Sequence, residues 1–233
     1  MAMVQTQAIE AGSLPEMGIE TCDSADGLSV FNRHGTELAV WRRALPPQLR
    51  AWLEDVDPAN LPEHRVLLRP SDMPVAMESL LDECGMPAGD MRDLLIADIH
   101  DLVSHFADIT RSEFVDVRLE RISHDSCWKF HRDNVAARLL TTYRGPATEW
   151  IRAPYAEQAL REQKEFDGPI ETLHRNDVAI FKGSAAGSGN GIVHRSPPIV
   201  GTGHTRLLLC LNQRTEISPA PWPQSDDTEA WLR

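Results

Sequence analysis

The chain has 233 residues, 42% of them hydrophobic, with 35 acidic against 23 basic side chains and a formal net charge of −12 at pH 7. That is enough apolar material for one sizeable core with an elaborated N-terminus, and the negative balance argues against nucleic acid or an anionic membrane surface as partner. No run reaches the roughly 18 apolar residues of a membrane span, the first residues lack a basic start and an apolar stretch, and Cys22, Cys84, Cys127 and Cys210 form no CxxC pair, so a cytoplasmic protein with reduced thiols is expected.

Residues 1–28 mix Gly, Ser, Glu and Thr without apolar periodicity and read as a flexible tail. Residues 29–110 read as a mostly helical extension packed on the core. Within it LAVWRR (38–43) is a short strand, and QLRAWLEDV after Pro46 and Pro47 is a short helix with prolines near its first turn. Ser71 and Asp72 followed by Pro74 start a second helix, VAMESLLDEC, which Gly85 and Pro87 stop. A third follows Asp90, where Met91, Leu95, Ile99, Leu102 and Phe106 line one face. Asp93, Asp98 and Asp101 lie off that stripe and read as solvated.

After Thr110 the period changes from 3.6 to 2. In FVDVRLERI, Val115, Val117 and Leu119 alternate with Asp116, Arg118 and Glu120, the pattern of a half-buried strand. CWKFHRD, ARLLTTY, TEWIRA, DVAIFKG and TRLLLCLN read as further strands, with a helical piece near AEQALREQKEF. Short strands between turns suit a barrel or sandwich better than βαβ units. The core is therefore expected over 111–215, with a C-terminal tail over 216–233.

His131 and Asp133 stand two residues apart, so on a strand an imidazole and a carboxylate leave from one face. His194 comes 61 residues beyond Asp133, after the strand DVAIFKG and a glycine-rich turn, where a second sheet would bring another imidazole across. Two His and one carboxylate make a facial triad that leaves three adjacent positions open on Fe(II), whereas zinc tends towards four ligands; the spacing excludes neither metal. Arg206, twelve residues past His194, begins a strand expected to lie antiparallel beside the His194 segment. Its guanidinium either clamps a carboxylate bidentately or serves as a surface ion-pair partner.

The order H-x-D, a long gap, H, then R, with Asn176 to Phe181 (NDVAIF) before the second His, resembles Fe(II)/2-oxoglutarate-dependent dioxygenases over the last hundred-odd residues. The fuller strings CWKFHRDN, LLTTYRGPATEWIR, VAIFKG and HRSPP resemble the family termed domain of unknown function 1826 over most of the chain. The oxygenase resemblance implies a mainly β, α+β fold: a double-stranded β-helix, jelly-roll or cupin-like, behind an N-terminal helical extension. It implies Fe(II) on His131, Asp133 and His194, with 2-oxoglutarate chelating the metal and its distal carboxylate on Arg206. The implied activity is oxidation, as by hydroxylation, of an unidentified small molecule or protein side chain.

Thr141 and Tyr143 share one face of ARLLTTY and are candidate hydroxyl donors to the co-substrate, or else core residues. Lys129 shares the expected strand face of His131 and either anchors a carboxylate beside Arg206 or reaches to solvent. His124 and His204 are candidates for a second metal or ordinary histidines, and Arg195 is expected to point away from the His194 face. Two other readings compete with the oxygenase: a non-redox, cupin-like protein that holds zinc, and a β-sandwich in which the His/Asp/His pattern is coincidence. The oligomeric state is not written in the sequence.

Overall fold

The computed structural model describes residues 18–187 and 191–223. Its elements run β1 (Ile19–Cys22), β2 (Leu38–Trp41), α1 (Pro47–Asp55), β3 (His64–Leu68), α2 (Met73–Glu83), α3 (Asp90–Thr110), β4 (Val115–Ile122), β5 (Ala137–Arg144), β6 (Glu149–Ile151), α4 (Ala156–Glu162), β7 (Glu171–Thr172), β8 (Val178–Lys182), β9 (Val193–Arg195) and β10 (Arg206–Gln213), with short 3-10 turns between them. The helices begin where the sequence places them: Pro47 opens α1, and Asp72 precedes α2. α3 stops at Arg111, whose left-handed backbone lets the Ser112 amide return to the Ala107 carbonyl.

The strands form a seven-stranded sheet, in the order β1-β2-β8-β5-β10-β4-β3, and a three-stranded sheet, β7-β6-β9. Leu95, Ile99, Leu102 and Phe106 of α3 join one core with Leu139 and Tyr143 of β5 and Leu207, Leu209 and Leu211 of β10, on one face of the large sheet. Leu140 of β5, Leu208 and Cys210 of β10, and Trp150 of β6 join a second core, between the sheets. β10 is therefore buried on both faces, which is why TRLLLCLN is a nearly unbroken apolar run.

Several expectations change. Residues 18–28 are not a tail: β1 pairs in parallel with β2, and a 3-10 turn over Asp26–Asn32 buries Leu28 and Phe31. Nor is 29–110 a separable helical layer, because β2 pairs with β8 and β3 pairs with β4 inside the large sheet. The expected C-terminal tail returns at least as far as Trp222, whose amide donates to the Leu67 carbonyl. The rest of the two expected tails, 1–17 and 224–233, lies outside the described residues. Asp98 is not simply solvated: it accepts from the Tyr143 hydroxyl at 2.6 Å and from Arg43 at 3.0 Å, tying α3 to β5. Among the described residues, no helix is long and apolar enough to cross a membrane.

Candidate metal centre

CWKFHRD is not a strand. Cys127 has a positive φ of 53°, and only His131 pairs, as an isolated antiparallel bridge to His194 of β9. Each of the two amides donates to the other residue's carbonyl at 3.0 Å. In such a reciprocal pair both side chains leave on the same side, so two imidazoles distant in sequence become neighbours, with ring centroids 4.6 Å apart.

Asp133 is positioned through its backbone. Its carbonyl accepts from the Ser184 amide at 2.8 Å and the Ser184 hydroxyl at 3.1 Å. Gly183 permits this approach, since a Cβ there would stand 2.6 Å from the Asp133 carbonyl oxygen and closer still to that of Val135. The Asp133 carboxylate then faces both rings: Oδ2 is 3.4 Å from His194 Nε2, and Oδ1 is 3.7 Å from His131 Nε2. One ligand atom from each residue lies within 4.8 Å of the others. Around one octahedral ion with bonds of about 2.1 Å, adjacent ligand atoms would be about 3 Å apart, so the set has to draw together around an ion.

The protonation pattern fits a cation. His131 Nδ1 lies 2.8 Å from the Lys129 carbonyl and His194 Nδ1 3.1 Å from that of Ile192. A carbonyl oxygen only accepts, so both Nδ1 atoms carry the proton and both Nε2 lone pairs are left to the site. Burial depresses the His194 pKa to about 4, with the Asp133 charge opposing, so the ring is neutral near pH 7. Asp133 Oδ2 is buried without a hydrogen-bond partner, while Oδ1 is bonded to Arg138. Phe181 of β8, the last residue of the NDVAIF stretch, walls the site with its ring 4.9 Å from that of His194.

From this cluster a narrow cleft of about 60 Å³ runs between the sheets, past Leu140, Thr148, Cys210, Leu208 and Ser196. Behind Ser196 lies Arg206, fully buried, donating from Nε to the Pro146 carbonyl and from Nη1 to the Ser196 hydroxyl, each at 2.7 Å. Its Nη2 is buried with no partner, and burial lowers its pKa to about 10, so it stays cationic. Among the described residues, no carboxylate forms an ion pair with it. A buried cation without a counter-ion is costly, so this end of the cleft calls for an anion. Arg206 reaches Ser196 across the gap rather than beside it: β10 pairs with β4 and β5, not with β9.

Other expected site residues fall elsewhere. Tyr143 belongs to the core on the α3 side, as shown by its bond to Asp98, and Thr141 shares that parity on β5. The cleft is lined instead by Arg138 and Leu140. Lys129 is exposed, with its ammonium 5.6 Å from the Trp128 ring centre, because period 2 does not apply off a strand. Arg195 lines the cleft edge and bonds Glu149, while Trp150 fills the core between the sheets. His124 and His204 are exposed, and among the described residues no second cluster of metal-ligating groups occurs. Arg138 and Ser196 were missed; their signal was the nearness of Arg138 to Asp133 in sequence and the HRS triplet after the second ligand.

Two sheets with a His-Asp-His cluster facing the gap between them define a protein with a candidate cation site. Residues 22–212 match the family described as "Protein of unknown function (DUF1826)", and the chain belongs to that family. No curated protein matches it. Among solved structures it is similar to a Pseudomonas putida prolyl-4-hydroxylase, at 12% identity and a TM-score of 0.41 over 82% of this chain and 94% of that one. It is also similar to a C-terminally truncated Neurospora crassa protein in apo form, at 12% and 0.43 over 91% and 100%. A third is the non-heme alpha ketoglutarate dependent carbocyclase SnoK from nogalamycin biosynthesis, at 8% and 0.34 over 82% and 84%.

Proposed function

We propose that this protein is an Fe(II)/2-oxoglutarate-dependent oxygenase whose two sheets are the major and minor sheets of a double-stranded β-helix. One observation carries the reading: a cleft lined by His131 and His194, with the unpartnered Asp133 Oδ2 beside His194, also reaches Ser196, whose hydroxyl accepts from the buried Arg206, a guanidinium with no carboxylate partner among the described residues. The first set suits a divalent cation and the second a carboxylate, so the two together suit a chelating dicarboxylate, for which the cleft of about 60 Å³ would have to widen.

In this reading His131, Asp133 and His194 hold iron, leaving adjacent positions open. Iron so held, with 2-oxoglutarate as co-substrate, supplies oxidation by O2: the co-substrate gives succinate and CO2, one oxygen atom going to succinate and the other to the oxidised substrate. The chain supplies the rest. The Lys129 and Ile192 carbonyls fix both ring tautomers, Arg138 holds the free side of the Asp133 carboxylate, and Arg206 with Ser196 orients the distal carboxylate. Leu140, Leu208 and Ile122 keep water from the cleft.

The test is succinate formation from 2-oxoglutarate by the iron-reconstituted protein with ascorbate and O2, and its loss in Asp133→Ala. Failure of metal-loaded protein to bind 2-oxoglutarate, together with tight zinc in protein purified without added metal, would replace this reading with a non-redox zinc-holding one.

A further inference from the structure

A second cavity, of about 490 Å³, adjoins the metal cleft on the side away from Arg206. Arg118 and Arg138 line both spaces, so the two meet at their side chains. The strands trace the path. On β10, Leu208 and Cys210 line the metal cleft and Asn212 the outer cavity; on β4, Ile122 and Glu120 line the first and Asp116 the second. The metal cleft thus has Ser196 and the buried Arg206 towards one end and this larger space, lined also by Thr215, Glu216 and Ile217, towards the other.

The chemistry of the outer cavity runs against that of the chain. In a molecule of net charge −12 it is lined by three guanidinium groups, Arg65, Arg118 and Arg138, against two carboxylates, Asp116 and Glu216. Arg65 and Arg118 are directly opposed across β3 and β4, a like-charge placement that is unfavourable by itself. Arg65 is satisfied by a two-pronged bond to Asp116 at 3.0 and 2.7 Å. Arg118 reaches only Glu120, at 2.9 Å, and its Nε is buried without a partner. Arg138 bonds Asn212 and Asp133, and a dication on Asp133 would take up the carboxylate charge that now balances it.

Resting on the oxygenase reading for what the neighbouring metal does, we infer that this cavity is the primary-substrate site and that it takes a small organic carboxylate, held by Arg118 and Arg138. Arg65, Arg118 and Arg138 already face Asp116, Glu120 and Asp133, so the one positive charge released when a dication takes up Asp133 suits a monoanion better than a phosphate dianion. Arg118 is the specificity residue, since among the described residues its ion pair is with Glu120 and none joins it to a metal ligand.

Binding tests this without turnover. Full-length protein loaded with Zn(II) and saturated with 2-oxoglutarate, so that the co-substrate's own site is occupied, is screened by saturation-transfer NMR. The probes are free L-amino acids, their N-acetyl derivatives and the matching primary amides. At least one carboxylate should bind, its amide at least about tenfold more weakly, and Arg118→Gln should cost a similar factor with zinc affinity unchanged. Ile217, 80% exposed, gives a second variant that leaves the core alone: Ile217→Glu should weaken the carboxylate about fivefold through like charge. The inference is overturned if acids and amides bind alike, if both variants bind as the parent does, or if no carboxylate probe binds. Carboxylate binding without succinate formation by the iron form sinks the oxygenase reading alone, and succinate formation without carboxylate selectivity sinks this one alone.

Discussion

Asp133 Oδ2 lies 3.4 Å from His194 Nε2, both groups buried, and the oxygen has no hydrogen-bond donor. A carboxylate oxygen facing a ring lone pair repels unless a cation sits between them. Adding Mn(II) or Zn(II) at about a hundred times its dissociation constant should therefore stabilise the fold by about 2.7 kcal/mol. Asp133→Ala should abolish that gain, as read by Tm with and without metal, and a Tm indifferent to metal would remove the site.

His194 also sets a pH dependence. Its pKa falls from 6.5 in the unfolded chain to about 4 in the fold, so between these values the unfolded state binds more protons. Stability of the metal-free protein is then full above about pH 6.5 and declines as pH falls towards about 4, by up to ~3 kcal/mol. Urea denaturation with chelator at pH 7 and pH 4.5 measures this, and His194→Gln should flatten the slope.

Arg206 should matter for 2-oxoglutarate more than for metal. Arg206→Met removes the cation behind Ser196 and should weaken 2-oxoglutarate binding by at least about tenfold, with Ser196→Ala intermediate. Titration of the Mn(II)-loaded variants checks this. Equal affinity in Arg206→Met would place the distal carboxylate elsewhere.

Gly183→Ala should act at a distance from any ligand atom. The added methyl meets the Asp133 and Val135 carbonyls, so the backbone carrying the carboxylate must shift. A cost of about 1–3 kcal/mol in stability and a loss of metal affinity are expected, read by denaturation and metal titration.

Tyr143→Phe separates the structural role of that hydroxyl from a co-substrate role. It should cost about 1 kcal/mol, because the bond to Asp98 is lost while Arg43 still satisfies the carboxylate. Binding of 2-oxoglutarate should be unchanged.

The helices and most strands were legible because one covered face leaves a clear period, as in α3 and β4. The same rule failed at β5. In ARLLTTY nearly every position of both parities is buried, since helices cover one face and the small sheet the other, so burial does not mark a face. Of the two readings open for Thr141 and Tyr143, the structure has Tyr143 in the core on the α3 side, with Arg138 and Leu140, one residue out of step, on the cleft. His131, Asp133 and His194 could be read from type and order, whereas their geometry, a backbone bridge for the two histidines and the Ser184 bonds for Asp133, left no sign in the sequence. β1 and β3 went unseen: they are edge strands of only four and five residues, and in β3 the buried Val66, Leu67 and Leu68 are consecutive, so no alternation is left to read.

The pairing of β2 onto β8 and of β3 onto β4 bears on how such a protein can be inherited. Residues before 111 supply both flanks of the sheet that carries the ligands' supports, so the metal-bearing half could not be spliced onto another polypeptide without leaving β8 and β4 bare and prone to pair with strangers. Exchange between lineages would have to move the flanking strands together with the ligands.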